Sequence, residues 1–346
     1  MMEFKEGKAV IKVPEFEKIT SKSEVFYNPE MAYDRGLSVA VFKASGKKEV
    51  CDAFSGSGIR AILYALEGAE VIANDVNPNA VELIKENAQM NQVSIKVLNE
   101  DANILLRKKK FEVIDLDPFG SPSRYLDSTM NGLKNDSLLF VTATDTEALC
   151  GYAKKAALRK YGIKTAKTPF SKELGVRVLL TAIMREGAKY GFGFSVLLSY
   201  WRRHYIRVFL RARWSKKAAL ECMNMVNPVS FCRCGFFSTE VTEKCPVCGE
   251  NAGYISSVYL GRIKDNEFLE KVRFCDVTEK LKHELDVPFY YDTHHLAKFH
   301  GVQPPKIGVL VDRLNENFLA SRTIFCPTGV KTDMSLVNLL EIVFSM

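Results

Sequence analysis

Over the first two hundred residues, short apolar runs alternate with stretches of helical periodicity, and three of the runs stop at an aspartate. Residues 49–54 read as a strand that ends in the turn Ser55-Gly56-Ser57-Gly58. A helix follows, with Ile59, Ile62, Leu63 and Leu66 at helical spacing, and ends near Gly68. Residues 70–74 form a second strand closed by Asp75, and residues 79–90 a helix with Val81, Ile84 and Ala88 apolar and Pro78 near its start. Residues 94–98 lead to Asp101, and residues 111–116 deliver Asp117. Residues 137–143 are strand-like, and a helix over 172–190 follows an intervening basic loop. Such alternation predicts an α/β fold, a Rossmann-like parallel sheet flanked by helices. Ligands of such sheets bind at the carboxyl ends of the strands, so Asp75, Asp101 and Asp117 are expected along one edge.

Residues 192–213 read as two strands broken around Arg202 to His204. In the second, Arg207, Phe209, Arg211 and Arg213 share one face and Val208, Leu210 and Ala212 the other, so one face is expected to pack and the other to be basic. Past about residue 215 the pattern changes to a helix-like stretch over 216–225, a cysteine cluster, a strand-like stretch over 254–260 and a mixed tail. The chain is long enough for two cores, here an α/β domain over 1–220 and a smaller mixed α+β domain over 221–346.

The formal charge is +7, and its distribution says more than its size. Lys154, Lys155, Arg159, Lys160, Lys164, Lys167 and Lys172 form one run without acids; Arg202, Arg203, Arg207, Arg211, Arg213, Lys216 and Lys217 form another, interleaved with aromatic residues. Two such runs suggest a nucleic-acid partner. No apolar stretch approaches the roughly 18 residues of a membrane span. Met1-Met2-Glu3-Phe4-Lys5-Glu6 carries acids and no apolar segment, so a secretion signal is not expected and the protein is expected in the cytoplasm. In that compartment the nine cysteines read as thiols or metal ligands in preference to disulfides.

Gly56-x-Gly58-x-x-Ala61 with Asp75 downstream fits a dinucleotide fingerprint. Enzymes that use S-adenosylmethionine share this geometry: an acid before the turn, glycines that let the backbone approach, and an acid for the ribose hydroxyls. Two later features favour the methyl donor over a nicotinamide. Asp101-Ala102 can take an adenine edge, and Asp117-Pro118-Phe119-Gly120 can hold an aromatic amine. A ring-conjugated NH₂ is a poor nucleophile, and acceptors aimed at its N–H bonds point the lone pair at an electrophile. An ionised Asp is acceptor-only, a proline carbonyl is a second acceptor, and the aromatic residue can stack on the base.

Cys232-x-Cys234 and Cys245-x-x-Cys248, each followed by a glycine, suit a structural tetrahedral zinc site; four unligated thiols are the other reading. His294, His295 and His300 have no accompanying ligand pattern and read as packing or surface residues.

With these motifs in place the chain resembles the tRNA guanine-26 N2-dimethyltransferase family over nearly its whole length. The matching stretches are Phe26-Tyr27-Asn28-Pro29-x-Met31 with Arg35-x-Leu37-Ser38, Asp52 through Arg60, Asn74-Asp75-x-Asn77-Pro78, Asp117 through Pro122, and Arg159-Lys160-Tyr161-Gly162. The resemblance implies a class I methyltransferase sheet, and transfer of methyl groups from S-adenosylmethionine to guanosine 26 of tRNA to give mono- then dimethylguanosine; no obligate protein partner is inferred. It implies Arg35, Arg60, Asp75, Asp101 and Ala102 as cofactor-binding residues, with Arg35 forking the methionine carboxylate, and Asp117 as the catalytic residue. Phe26 and Phe119 are candidates to sandwich the base. At Gly36 the chain departs from the acidic residue expected after the arginine. An amino-methyltransferase acting on adenine or cytosine, and a non-catalytic RNA-binding protein that has kept the fold, are the rival readings.

Overall fold

The structure is a computed structural model that describes residues 1–15, 25–274 and 276–344. The chain opens with a hairpin, β1 (Met2–Glu6) and β2 (Ala9–Val13). The sequence reading missed it, although Val10-Ile11-Lys12-Val13 alternates as a strand should and Gly7 supplies the turn. Its outer edge is satisfied by two asparagine amides. Asn87 accepts from the Lys12 amide and donates to the Lys12 carbonyl, and Asn91 does the same for Val10.

The α/β alternation follows: α1 (Ala32–Ser45), β3 (Glu49–Asp52), α2 (Ile59–Leu66), β4 (Glu70–Asn74), α3 (Pro78–Met90), β5 (Ile95–Leu98), α4 (Ala102–Lys108) and β6 (Phe111–Leu116). Next come α5 (Leu126–Gly132), β7 (Leu133–Ala143), α6 (Thr146–Leu149), α7 (Lys154–Tyr161), α8 (Ser171–Lys189), β8 (Phe192–Arg202) and β9 (Tyr205–Trp214). Asn77 caps α3 through the Asn79 amide, with Pro78 in the first turn. The stretch after Cys150 expected as a basic loop contains α7.

Seven strands make one sheet in the order β5-β4-β3-β6-β7-β9-β8, with β9 antiparallel to both neighbours and the other pairings parallel. Both faces are covered. Ile114, Leu116, Leu139, Val141 and Val208 pack beneath α4, α5 and α8, while Val50, Val71, Val113, Leu138 and Phe140 pack beneath α1 and α2. The chain runs outward from β3 to β5 and then returns to lay β6 on the other side of β3. That reversal opens a crevice above the carboxyl ends of β3 and β6.

Arg207 corrects the expectation of a basic face on the last strand. It is fully buried, because β9 lies between β7 and β8 and not at an edge. Arg211 is only half-buried and Arg213 exposed further along the same strand.

The remaining elements are α9 (Lys216–Asn224), β10 (Val226–Phe231), β11 (Phe237–Ser238), β12 (Gly253–Tyr259), α10 (Asn266–Leu269), α11 (Asp276–His283), β13 (Tyr291–Asp292), α12 (Thr293–His300), α13 (Ile307–Leu314), β14 (Ala320–Arg322), β15 (Gly329–Thr332) and α14 (Leu336–Phe344). Residue 220 falls inside α9, and the core continues across it. Val229, Ile255 and Val258 join the cluster under α8, and Phe268, Leu269 and Leu281 join the opposite one. A separate core gathers Cys232, Cys234 and Cys245 with Tyr291, Leu310 and Leu339.

Candidate active site

A cavity of about 570 Å³ opens at the switch point between β3 and β6. Its floor is the turn after β3, contributed by Ser55, Gly56 and Ser57; Asp75 comes from the end of β4 and Asp117, Pro118 and Phe119 from the end of β6. Gly56 has φ of 52°, and a Cβ there would meet the Phe26 carbonyl oxygen at 2.7 Å, so only glycine lets the segment carrying Phe26 lie over the turn. Asp75 orders the same turn, with Oδ2 accepting from the Gly56 amide at 2.9 Å and Oδ1 from the Asn77 amide at 2.9 Å.

Behind Asp117 lies a buried ion network. Arg60 bonds Asp34 at 2.9 Å and the Ser38 hydroxyl at 3.0 Å, and its Nη2 also pairs with Asp117. Arg207 donates to both oxygens of Asp115 at 2.8 Å, to Ser38 at 2.9 Å and to Thr142 at 2.7 Å. Tyr64 donates to Asp115 and Tyr200 to Asp34, both at 2.7 Å. Three carboxylates face two guanidiniums, which leaves one negative charge at the mouth, where the Asp117 side chain is 19% exposed. Burial raises Asp117 above the usual carboxylate range against the opposing pull of Arg60. Asp34 goes the other way: burial disfavours its charge, but Arg207 and Arg60 outweigh that and hold it low. Asp52, fully buried and with neither carboxylate oxygen hydrogen-bonded among the described residues, is pushed up to about 7 by burial and by the charge of Asp115.

The sequence-predicted residues do not all converge. Arg35, Arg60, Asp75, Asp117, Phe26 and Phe119 line the cavity. Asp101 and Ala102 stand one strand further out, beyond β5, where Asp101 caps α4 through the Asn103 amide at 2.8 Å. The expected fork on Arg35 is already filled. Nε and Nη2 bind the two oxygens of Glu6 at 2.6 and 2.5 Å, and Nη2 also donates to the Asn28 carbonyl, so only Nη1 is left to offer. At Gly36 a Cβ would stand 2.9 Å from the Phe274 ring, so that ring occupies the space an acidic side chain would need. Phe26 and Phe119, 41% and 63% exposed, meet edge to face at 5.9 Å and 80° in place of a parallel gap.

Asp34, Asp115 and Arg207 were not anticipated as parts of the site. The readable signal was a charge inside an apolar strand: Asp115 within Val113-Ile114-Asp115-Leu116, and Arg207 within Tyr205-Ile206-Arg207-Val208. Charges are buried so deeply only when paired.

In the separate core the four predicted cysteines converge. The Sγ atoms of Cys232, Cys234, Cys245 and Cys248 all lie within 4.8 Å of one another, with Cys232 to Cys248 at 3.4 Å and Cys234 to Cys245 at 3.5 Å. A tetrahedron with metal–sulfur bonds of about 2.3 Å has edges of about 3.8 Å, so the set can close on a metal with small adjustments. Gly235 and Gly249 take φ of 105° and 74° to make the two turns.

Fold and site together define a class I methyltransferase that uses S-adenosylmethionine: the strand order, the glycine turn and the acid at the end of β4 occupy the places that class requires. Residues 7–344 match the family model described as N2,N2-dimethylguanosine tRNA methyltransferase, and the chain belongs to that family. It is 37% identical to the tRNA (guanine(26)-N(2))-dimethyltransferase of Methanothermobacter thermautotrophicus, across 99% of this chain and 98% of that one. The Archaeoglobus fulgidus protein of the same name is 38% identical across 96% and 95%. Among solved structures, Trm1 from Pyrococcus horikoshii in complex with S-adenosyl-L-methionine superposes with a TM-score of 0.90 at 32% identity, covering 99% of this chain and all of that one. Among the described residues no helix is long and apolar enough to cross a membrane.

Proposed function

We infer that this protein transfers methyl groups from S-adenosylmethionine to the exocyclic N2 amine of guanosine 26 in tRNA, giving mono- and then dimethylguanosine, in the cytoplasm. The observation that carries the reading is the position of Asp117. It stands on the wall of the crevice shared with the glycine turn and Asp75, in a chain similar over its whole length to relatives named for this reaction.

The cavity fits the cofactor on its own terms. The Ser57 hydroxyl is buried on its wall without a hydrogen-bond partner among the described residues, and Asp75 presents acceptors suited to ribose hydroxyls. Asp75, Asp101, Ala102 and the Nη1 group of Arg35 are the residues we assign to hold the cofactor. Bound there, it supplies an electrophilic methyl group on a sulfonium. Arg60, which reaches both the cavity and Asp117, in our reading fixes the carboxylate more than it contacts the cofactor.

The chain's own work falls on the amine. Asp117 accepts from its N–H bonds, aims the lone pair and offsets the positive charge that grows on nitrogen as the bond forms. The raised affinity of Asp117 for a proton suits it to receive the one released afterwards. A guanosine within folded tRNA has to be flipped out, which costs a few kcal/mol of unstacking. Phe26 and Phe119 would part to stack on it. The exposed charges of Lys154, Lys155, Arg159 and Arg213 are assigned to phosphates, and the part beyond residue 220 to gripping tRNA. Zn²⁺ on the four cysteines would hold that part's fold, since four protein ligands leave no open position.

The test is tritium transfer from labelled cofactor to two unmodified transcripts, one with guanosine at position 26 and one with adenosine there. Label on the first alone is expected; equal label on both, or none, would overturn the reading.

A further inference from the structure

The loop that carries the amine-holding groups, residues 117–121, leaves β6 and is tied at its far end to two different elements. The Gly120 amide donates to the Thr144 hydroxyl at 2.9 Å, and the Thr144 amide donates to the Gly120 carbonyl at 2.9 Å. Next along, the Ser121 hydroxyl lies 2.8 Å from the Tyr161 hydroxyl at the end of α7. Tyr161 donates to Asp145 Oδ1 at 2.7 Å, and Lys160 donates to Asp145 Oδ2 at 2.8 Å.

The direction of these bonds follows from the carboxylate. Ionised Asp145 can only accept, so the Tyr161 proton points at it, and the Tyr161 oxygen is left to accept from Ser121 at 2.8 Å, in preference to the longer contact of Ser121 with the Ser123 hydroxyl at 3.1 Å. Tyr161 is 5% exposed. Burial, with the charge of Asp145 adding to it, raises its ionisation above the ordinary phenol value, so it stays a donor. Lys160 neutralises the outer end. The result is a polarised chain running from Ser121 through Tyr161 to Asp145 and Lys160.

Nothing else in the active site explains the Arg159-Lys160-Tyr161-Gly162 stretch, which stands about forty residues from Asp117 in sequence. We propose that Tyr161 and Asp145 brace the 117–121 loop through Ser121, as positioning residues for transfer to the substrate amine. The proposal rests on the reading that Asp117 holds that amine. Geometry gives the brace its value: Phe119 is 63% exposed, so packing holds the loop tip weakly, while in-line transfer tolerates little displacement. The brace also sets the loop on the helix that presents Lys154, Lys155 and Arg159 to solvent, so the element that offers charge to a polyanion also fixes the groups that meet the base.

The experiment compares Tyr161→Phe, Ser121→Ala and the double variant on an unmodified tRNA transcript. It measures kcat, KM for tRNA, affinity for S-adenosylhomocysteine and melting temperature. Each single change is expected to lower kcat about tenfold, in line with the sensitivity of such reactions to sub-ångström misplacement. S-adenosylhomocysteine affinity and tRNA KM should hold, and the double variant should be no worse than either single one, because both remove the bond between Ser121 and Tyr161. Unchanged kcat in both single variants, or losses that multiply in the double, would overturn the brace. If Tyr161→Phe lowers the melting temperature, Ser121→Ala at its half-buried position decides alone by the same split between kcat and cofactor affinity. A wild-type protein that transfers nothing contradicts the reading of the site itself.

Discussion

Two regions of the molecule solve the same problem, holding polar side chains close together out of water, in opposite ways. Around Asp117 the α/β layers do the work: β6, β9, α1 and α2 deliver carboxylates and guanidiniums that pair with one another within a continuous apolar core. Around Cys234 there are two short turns and a small satellite core, with four thiols gathered within 4.8 Å of one another. Charge balance in the first region is internal; in the second, four thiolates would need a bound cation to balance them. The first should therefore tolerate loss of one surplus charge and react badly to loss of a balancing one, while the second should depend on an ion.

The largest effect expected is on rate. Asp117→Ala leaves Asp34 and Asp115 matched by Arg60 and Arg207, so the protein should fold and bind S-adenosylhomocysteine normally while transfer falls by at least about 10²–10³-fold. Parallel loss of cofactor binding would remove Asp117 from its assigned role. Arg207→Met sharpens the contrast, since it strands three carboxylates with one guanidinium. Breaking buried pairs of this kind costs about 3–5 kcal/mol, visible in denaturant unfolding. A stable variant with weakened tRNA binding would instead return Arg207 to the RNA-facing role its strand pattern suggested.

In the other region, Cys234→Ser with Cys245→Ser should eliminate bound zinc, measured by plasma mass spectrometry, and lower tRNA affinity about tenfold or more as that part loses its fold. S-adenosylhomocysteine affinity should be kept; if it fell as far as tRNA affinity, the two regions would be one cooperative unit. The smallest effect concerns Asp52. Its carboxyl titrates near 7 in the folded protein against about 3.9 unfolded. The folded state binds the proton more tightly, so the stability it contributes is complete below about pH 4 and is lost as pH rises through 7. Asp52→Asn should melt above the wild type by a margin that widens from pH 5 to pH 8, where it reaches several degrees. Equal melting temperatures at pH 8 would mean that Asp52 is solvated or paired.

Much of this was legible in sequence because it is local. A strand that stops at an acid, a glycine turn and paired cysteines are short-range patterns, and the strands over 70–74 and 111–116 appear with the predicted bounds. What escaped was set by partners distant in sequence. Period-two alternation puts Arg207 on one face of β9, but not whether that face meets solvent or Asp115, 92 residues away. Arg35 was read as a ready carboxylate receptor because Glu6, 29 residues upstream, gave no sign that it would reach over and take the fork. Phe26 and Phe119 were singled out as candidates to sandwich the base; both line the cavity, and their edge-to-face contact depends on a backbone approach allowed only by Gly56.

The measurement that bears most directly on the account is nucleoside mass spectrometry of an unmodified tRNA transcript after incubation with S-adenosylmethionine and either wild-type protein or Asp117→Ala. The account predicts N2,N2-dimethylguanosine from the wild type and unmodified guanosine from the variant. Methylated adenine or cytosine from the wild type, or dimethylguanosine formed equally by the variant, would contradict it.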